Sequence, residues 1–255
     1  MDYKMIHYTV EKSIATITLD YAPTLNALDM NMSLEVESAL KEAEADQAVK
    51  VVVLAGAGRA FSGGGDIRFM KAHCDEPDFA KESMGPLAGK LSEIVLYMKK
   101  MSKIVICAVA GACAGGAANL AFACDFIYAA DNAKFLQAFV GIGLCPDTGG
   151  VYTLPRMIGT HRAFDMFVTG RIVAAKEAYD IGLVKAVTTK EELLPTVYSF
   201  LLLLYCHLIT FRGYQLVIWS VLVLHLFHLN LHAVSAADAN INYYFLTFLA
   251  DELSV

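Results

Sequence analysis

"VVVLAGAGRAFSGGGD", residues 51–66, is answered by "IVICAVAGACAGGAAN", residues 104–119. Each begins as an uninterrupted apolar run, the signature of a strand buried on both faces, and each empties into a glycine-rich turn. In the second unit the turn leads into the helix "AANLAFAC". The two units form a weak internal repeat of strand, glycine turn and helix. A strand hairpin, "MIHYTV" with "SIATITLD", precedes them, followed by a helix whose apolar positions Met32, Val36, Leu40 and Ala43 recur every three or four residues. Further strands are expected at "DFIYAAD" and "AKFLQAF", a helix at about 86–101, and short glycine-stopped helices at "RAFDMFVTG" and "AAKEAYDIG". Residues 71–84 are charged and read as a mobile surface segment. Alternating strands and helices give an α/β protein.

Composition bounds the chemistry. The chain has 255 residues, enough for a substantial core, and a net charge of −6, which gives no basic character for nucleic acid. Six cysteines, Cys74, Cys107, Cys113, Cys124, Cys145 and Cys206, form no CxxC pair and suit reduced thiols in a cytoplasmic protein. The N-terminal segment alternates and carries charge, unlike a signal or transit sequence. The hydrophobic fraction of 56% is high for a soluble domain, and the excess lies after Pro195.

Gly-rich turns after strands raise the possibility of a nucleotide site. "AGAGRAF" lacks the third glycine of the dinucleotide fingerprint, and no GxxxxGK[ST] occurs. Glycine at such turns also serves simple close packing. Two matched turns allow more. One N–H from "SGGGD" and one from "CAGGAAN" can converge on one oxygen, an oxyanion hole for a thioester carbonyl becoming an enolate. Further on, "IGLCPDTGG" sets Asp147 between a proline and two glycines, where an aspartate is either a helix cap or a working carboxylate.

"GRAFSGGGDIRFM", "AVAGACAGGAANLAFACDFIYAADNAKF", "QAFVGIGLCPDTGGVYTLPRMIG" and "AAKEAYDIGLVKAV" together resemble the crotonase (enoyl-CoA hydratase/isomerase) superfamily, in order from about residue 4 to residue 190. The resemblance implies a crotonase-like spiral of β-β-α units over 1–195 with a C-terminal helical oligomerisation region over 196–255. It implies a homotrimer or a dimer of trimers, an acyl-CoA thioester substrate, and no cofactor beyond the coenzyme A of that substrate. Carried over, the oxyanion donors are the N–H groups of Gly63 and Gly116. Gly64, Gly65, Asp66, Asn119, Phe139, Leu25 and Ala27 fall at substrate-binding positions.

Two departures matter. Where hydratases of this superfamily carry glutamates, this chain has Asn119 and Phe139, and neither can act as the acid or base that adding water requires. Asp147 stands where those hydratases usually have glycine. With Asn119 it resembles the single-aspartate isomerase branch that includes the ring-epoxide isomerase of phenylacetyl-CoA breakdown. The expectation is therefore an acyl-CoA isomerase with Asp147 as base, in a setting where Phe139, Val140, Ile142 and Leu144 exclude water. The alternatives are an atypical hydratase, an aspartate-nucleophile dehalogenase needing a helper His and Trp, and a degenerate CoA-binding scaffold. Trp219, the single Trp, is far from the position a dehalogenase needs.

The tail departs from the family. From Val197 to Ala237 the one charged side chain, counting His as neutral, is Arg212. Three readings follow: helices buried in an oligomer interface, a membrane contact, or a tail whose residues differ from the protein's true ones. The last is favoured, then the first, and membrane association is not expected. His225, His228 and His232 share a helical face but have no carboxylate nearby, so no metal site is expected. Intact-mass measurement against 27.7 kDa tests the tail: a differing mass is expected.

Overall fold

Each turn of the chain lays down one strand in each of two sheets. The computed structural model describes residues 3–210, with side chains as far as residue 201. Strands β1 (Ile6–Glu11) and β2 (Ile14–Leu19) pair antiparallel through a two-residue turn. Its residues Lys12 and Ser13 both have positive φ (47° and 66°), as the right-handed twist of a tight hairpin requires. Helix α1 (Met30–Ala45) follows, with the Asp29 carboxylate accepting the Met32 N–H at 2.8 Å. It buries Met32, Val36, Leu40 and Ala43, the predicted apolar stripe.

From there the repeat runs. β3 (Val51–Gly56) and β4 (Ala60–Ser62) make one turn, β5 (Ile104–Val109) and β6 (Ala112–Ala114) the next, and β7 (Phe126–Ala130) and β8 (Lys134–Leu136) the third. The larger sheet has the order β1-β2-β3-β5-β7-β10 and is parallel from β2 onward, with β10 at Ala186–Thr188. The smaller sheet has the order β4-β6-β8-β9, with β9 at Val173–Ala174. Helices fill the connections: α2 (Ile67–His73), α3 (Gly85–Lys100), α4 (Gly115–Phe122), α5 (Gly150–Ile158), α6 (Thr160–Thr169), α7 (Ala175–Asp180) and α8 (Leu193–Thr210). The apolar runs over 51–55 and 105–109 are fully buried, as their lack of alternation demands.

Residues 71–84 lie at the surface, as their charge leads one to expect. Helix α2 runs to His73, and a π-helical turn at Ala80–Met84 leads directly into α3. Their charge lies on the outer face of structured backbone. Cys107, Cys113 and Cys124 are buried, and burial pushes the Cys107 and Cys113 thiols well above their usual range. Cys74 and Cys145 are exposed, and all five are free. No helix among the described residues is long and apolar enough to cross a membrane. Most of the expected 196–255 helical region, including Trp219 and the three tail histidines, lies outside the described residues. Among those described, no cluster of three His, Cys, Asp or Glu side chains is placed to hold a metal.

The segment between β2 and α1 is fixed by one side chain. Asn26 is 2% exposed with φ +57°. Its Nδ2 donates to the carbonyls of Ala57, Ala60 and Phe61 (3.0–3.2 Å), while its Oδ1 accepts the Tyr21 N–H at 2.7 Å. Asn26→Ala leaves these buried groups unpaired and should cost about 2–4 kcal/mol, read as a fall in chemical-denaturation midpoint without a change in slope.

Candidate active site

The two glycine turns meet. The turn after β4, Gly63–Gly65, crosses the junction of β6 and α4 so closely that a Cβ on Gly64 would lie 2.7 Å from the Ala114 carbonyl oxygen. Gly64 also has φ +89°, a conformation that favours glycine. The turn is clamped from the other side by the 25–28 segment. The Gly63 N–H donates to the Leu25 carbonyl (2.9 Å), and the Gly64 carbonyl accepts from the Leu28 N–H (2.8 Å).

Between these turns lies an open-mouthed cleft with about 550 Å³ of free space, its mouth included. Gly63, Gly64, Gly65, Gly115, Gly116, Phe139 and Asp147 line it, and among the described residues Asp147 supplies its one charged side chain. The remaining wall is apolar: Leu28, Ile67, Met70, Met84, Leu87, Leu91, Ile142 and Leu144. Met84, Leu87, Ala88 and Leu91 form an i, i+3, i+4, i+7 stripe at and beyond the start of α3. Sequence reasoning passed over that stripe, although its spacing is the ordinary helical signal.

The predicted residues divide into two groups. Gly63, Gly116, Gly64, Gly65, Phe139 and Asp147 come together at the cleft. Gly116 is the second residue of α4, so its N–H has no partner within the helix, and Ala114 at the N-cap brings no capping side chain. Gly63 differs, because its N–H is already engaged by the Leu25 carbonyl. A thioester oxygen would have to share or displace that bond.

Asp66, Asn119, Leu25 and Ala27 do not line the cleft. The Asp66 carboxylate caps α2, accepting the N–H groups of Arg68 (2.9 Å) and Phe69 (3.2 Å). Leu25 presents its carbonyl to Gly63 and leaves its side chain exposed, while Ala27 is buried and its neighbour Leu28 reaches the cleft. Asn119 is wholly buried behind Asp147. Its Nδ2 donates to the Asp147 main-chain carbonyl, its Oδ1 accepts from Gln137 Nε2, and both bonds are 2.8 Å. These positions hold the site's shape and do not face its interior.

The capping alternative for Asp147 fails on geometry. Helix α5 is N-capped by Gly149, in the left-handed region, without a side-chain bond. The Asp147 carboxylate instead accepts the Thr148 hydroxyl at 2.7 Å, and the residue is partly buried in the lining of the cleft. Sequence reasoning missed Thr148 and Gln137. Thr148 carried a faint signal, a β-branched residue directly before a glycine pair.

A two-sheet ββα spiral with paired glycine turns beside an apolar cleft is the crotonase fold. The enoyl-CoA hydratase/isomerase family model matches residues 9–205, and the chain belongs to that family. It is 36% identical over 193 residues to the trans-2-decenoyl-[acyl-carrier-protein] isomerase of Streptococcus mutans, covering 76% of this chain and 73% of that one. It is 36% identical to the crotonyl-CoA hydratase of Syntrophomonas wolfei (77% and 74% covered) and 34% identical to the 1,2-epoxyphenylacetyl-CoA isomerase of Escherichia coli (77% and 73%). Among solved structures, an enoyl-CoA hydratase subunit from Geobacillus kaustophilus superposes with a TM-score of 0.68 at 32% identity, covering 78% of this chain and 75% of that one.

Close approach of α5 to Asn119 requires Gly150, where a Cβ would overlap the Asn119 carboxamide. Held by Gln137 and Asp147, that carboxamide has nowhere to move. Gly150→Ala should therefore cost about 1–3 kcal/mol in thermal unfolding and lower activity at the same time.

Proposed function

We propose that this protein isomerises an apolar acyl thioester, moving a double bond, or opening and rearranging a ring epoxide, through Asp147. The carrying observation is that, among the described residues, Asp147 is the one charged side chain on a cleft that Gly116 also lines. Both glutamate positions of the hydratases hold side chains unable to activate water, one of them, Phe139, on the cleft wall. The relatives' names include both isomerases and hydratases, so they support the family's chemistry without choosing between the two.

For a 3-enoyl thioester the steps balance without water. Asp147 takes a proton from C2, and the C–H electron pair spreads into the thioester to give a dienolate. The Gly116 N–H, with that of Gly63 if it turns from Leu25, stabilises the new oxyanion; such a donor is worth about 2.7–4 kcal/mol of barrier. The same proton is then delivered to C4, and the double bond comes to lie between C2 and C3. The positive end of α4 lies beside Gly116 and favours the charge on oxygen. Leu28, Leu87, Leu91 and Phe139 suit an apolar acyl group and keep water from the enolate.

Asp147→Asn should lower isomerisation of 3-decenoyl-CoA by about 10²–10⁴-fold while CoA-ester binding persists, since the amide fills the same space without being a base. Wild-type rates in that variant would remove Asp147 from the mechanism. Brisk hydration of crotonyl-CoA by the unmodified protein would instead favour the hydratase reading.

A further inference from the structure

We propose that Thr148 is a positioning residue, whose hydroxyl holds one oxygen of the Asp147 carboxylate so that the other alone takes the proton from the substrate and returns it. The inference rests on the reading of Asp147 as the base, and goes beyond it by assigning the two oxygens different work.

Three restraints act on the aspartate. Its main-chain carbonyl accepts both the Asn119 carboxamide (2.8 Å) and the Gly150 N–H (2.9 Å), which fixes the backbone. Thr148 Oγ1 donates to Asp147 Oδ1 at 2.7 Å, which fixes rotation of the carboxylate. Among the described residues, Oδ2 accepts no hydrogen bond. A carboxylate held at one oxygen and pinned at its backbone keeps one oxygen free of hydrogen bonds to take a proton.

The backbone of Thr148 makes this arrangement costly. Its φ is +49°, in the left-handed region, which a β-branched side chain occupies unfavourably. Glycine would suit that conformation better, and residues 149 and 150 show that the turn accepts it. Thr148 is also 2% exposed, so its hydroxyl sits away from solvent and finds its acceptor in the carboxylate. A strained residue at a working site is expected where its side chain has a function.

The consequence concerns the proton. With one oxygen acting, the hydrogen leaves C2 for Oδ2 and leaves Oδ2 for C4 on the same face of the acyl chain, with little chance to exchange. A carboxylate free to turn would offer either oxygen and lose both geometry and label.

The test uses 3-decenoyl-CoA carrying two deuteriums at C2, with product deuterium at C4 read by mass spectrometry. Wild type should transfer deuterium to C4. Thr148→Val should lower kcat by about tenfold or more with KM unchanged, and should reduce label at C4, because small misplacements of a reacting group carry large rate penalties. Thr148→Gly, which relieves the backbone, should fold at least as readily yet show the same two losses, so a folding failure of the valine variant leaves the test intact. Thr148→Ser should restore both. Wild-type kcat and label transfer in the valine or glycine variant, failure of serine to rescue, or wild-type turnover with no deuterium at C4 would overturn the proposal. Loss of activity in Asp147→Asn alongside a fully active Thr148→Gly would reject the role of Thr148 alone, whereas a fully active Asp147→Asn would reject the reading beneath it.

Discussion

Everything in this site depends on two stretches of backbone approaching more closely than side chains allow. The turn after β4 crosses the start of α4 with Gly64 almost touching the Ala114 carbonyl, and a methyl group at that point would push the two apart. That contact brings Gly63 and Gly65 beside Gly116 and makes a cleft between two turns of the spiral. The spiral supplies the second half of the constraint. Because β3, β5 and β7 are neighbours in one sheet and β4 and β6 in the other, successive glycine turns have to stack at the same edge.

On this platform the charged group is placed from behind. Asn119, Gln137 and Gly150 are buried, and together they fix the main chain at Asp147. Gln137 Oε1 has no hydrogen-bond partner among the described residues, so the carboxamide relay ends there. Asn119 thus contributes to the site by shape, its carboxamide turned to the main chain of residue 147.

Much of this was legible in the amino-acid sequence, for identifiable reasons. The buried strands announced themselves as apolar runs, and the repeat of 51–66 in 104–119 is the spiral written in one dimension. Gly116, Gly64, Phe139 and Asp147 were reachable because ordered motifs carry them to one place. What spacing did not supply was orientation. Asp66, Asn119, Leu25 and Ala27 lie in the right segments but turn to caps, carbonyls or the core, and spacing along a chain does not report the direction of a loop side chain. The engagement of the Gly63 N–H by Leu25 was equally invisible, since it joins segments far apart in sequence. At residues 71–84 charge marked the exposure but not the helical backbone at both ends of the segment.

The central claim, that a lone carboxylate in this cleft moves hydrogen at the carbon beside a thioester, is open to one direct measurement. 3-Decenoyl-CoA is incubated with the protein, and its conversion to the conjugated 2-decenoyl-CoA is followed by absorbance, with any water adduct followed by mass spectrometry. The account predicts protein-dependent movement of the double bond with no change in mass. Bound 3-decenoyl-CoA that stays unconverted would contradict it and leave a thioester-binding scaffold in its place.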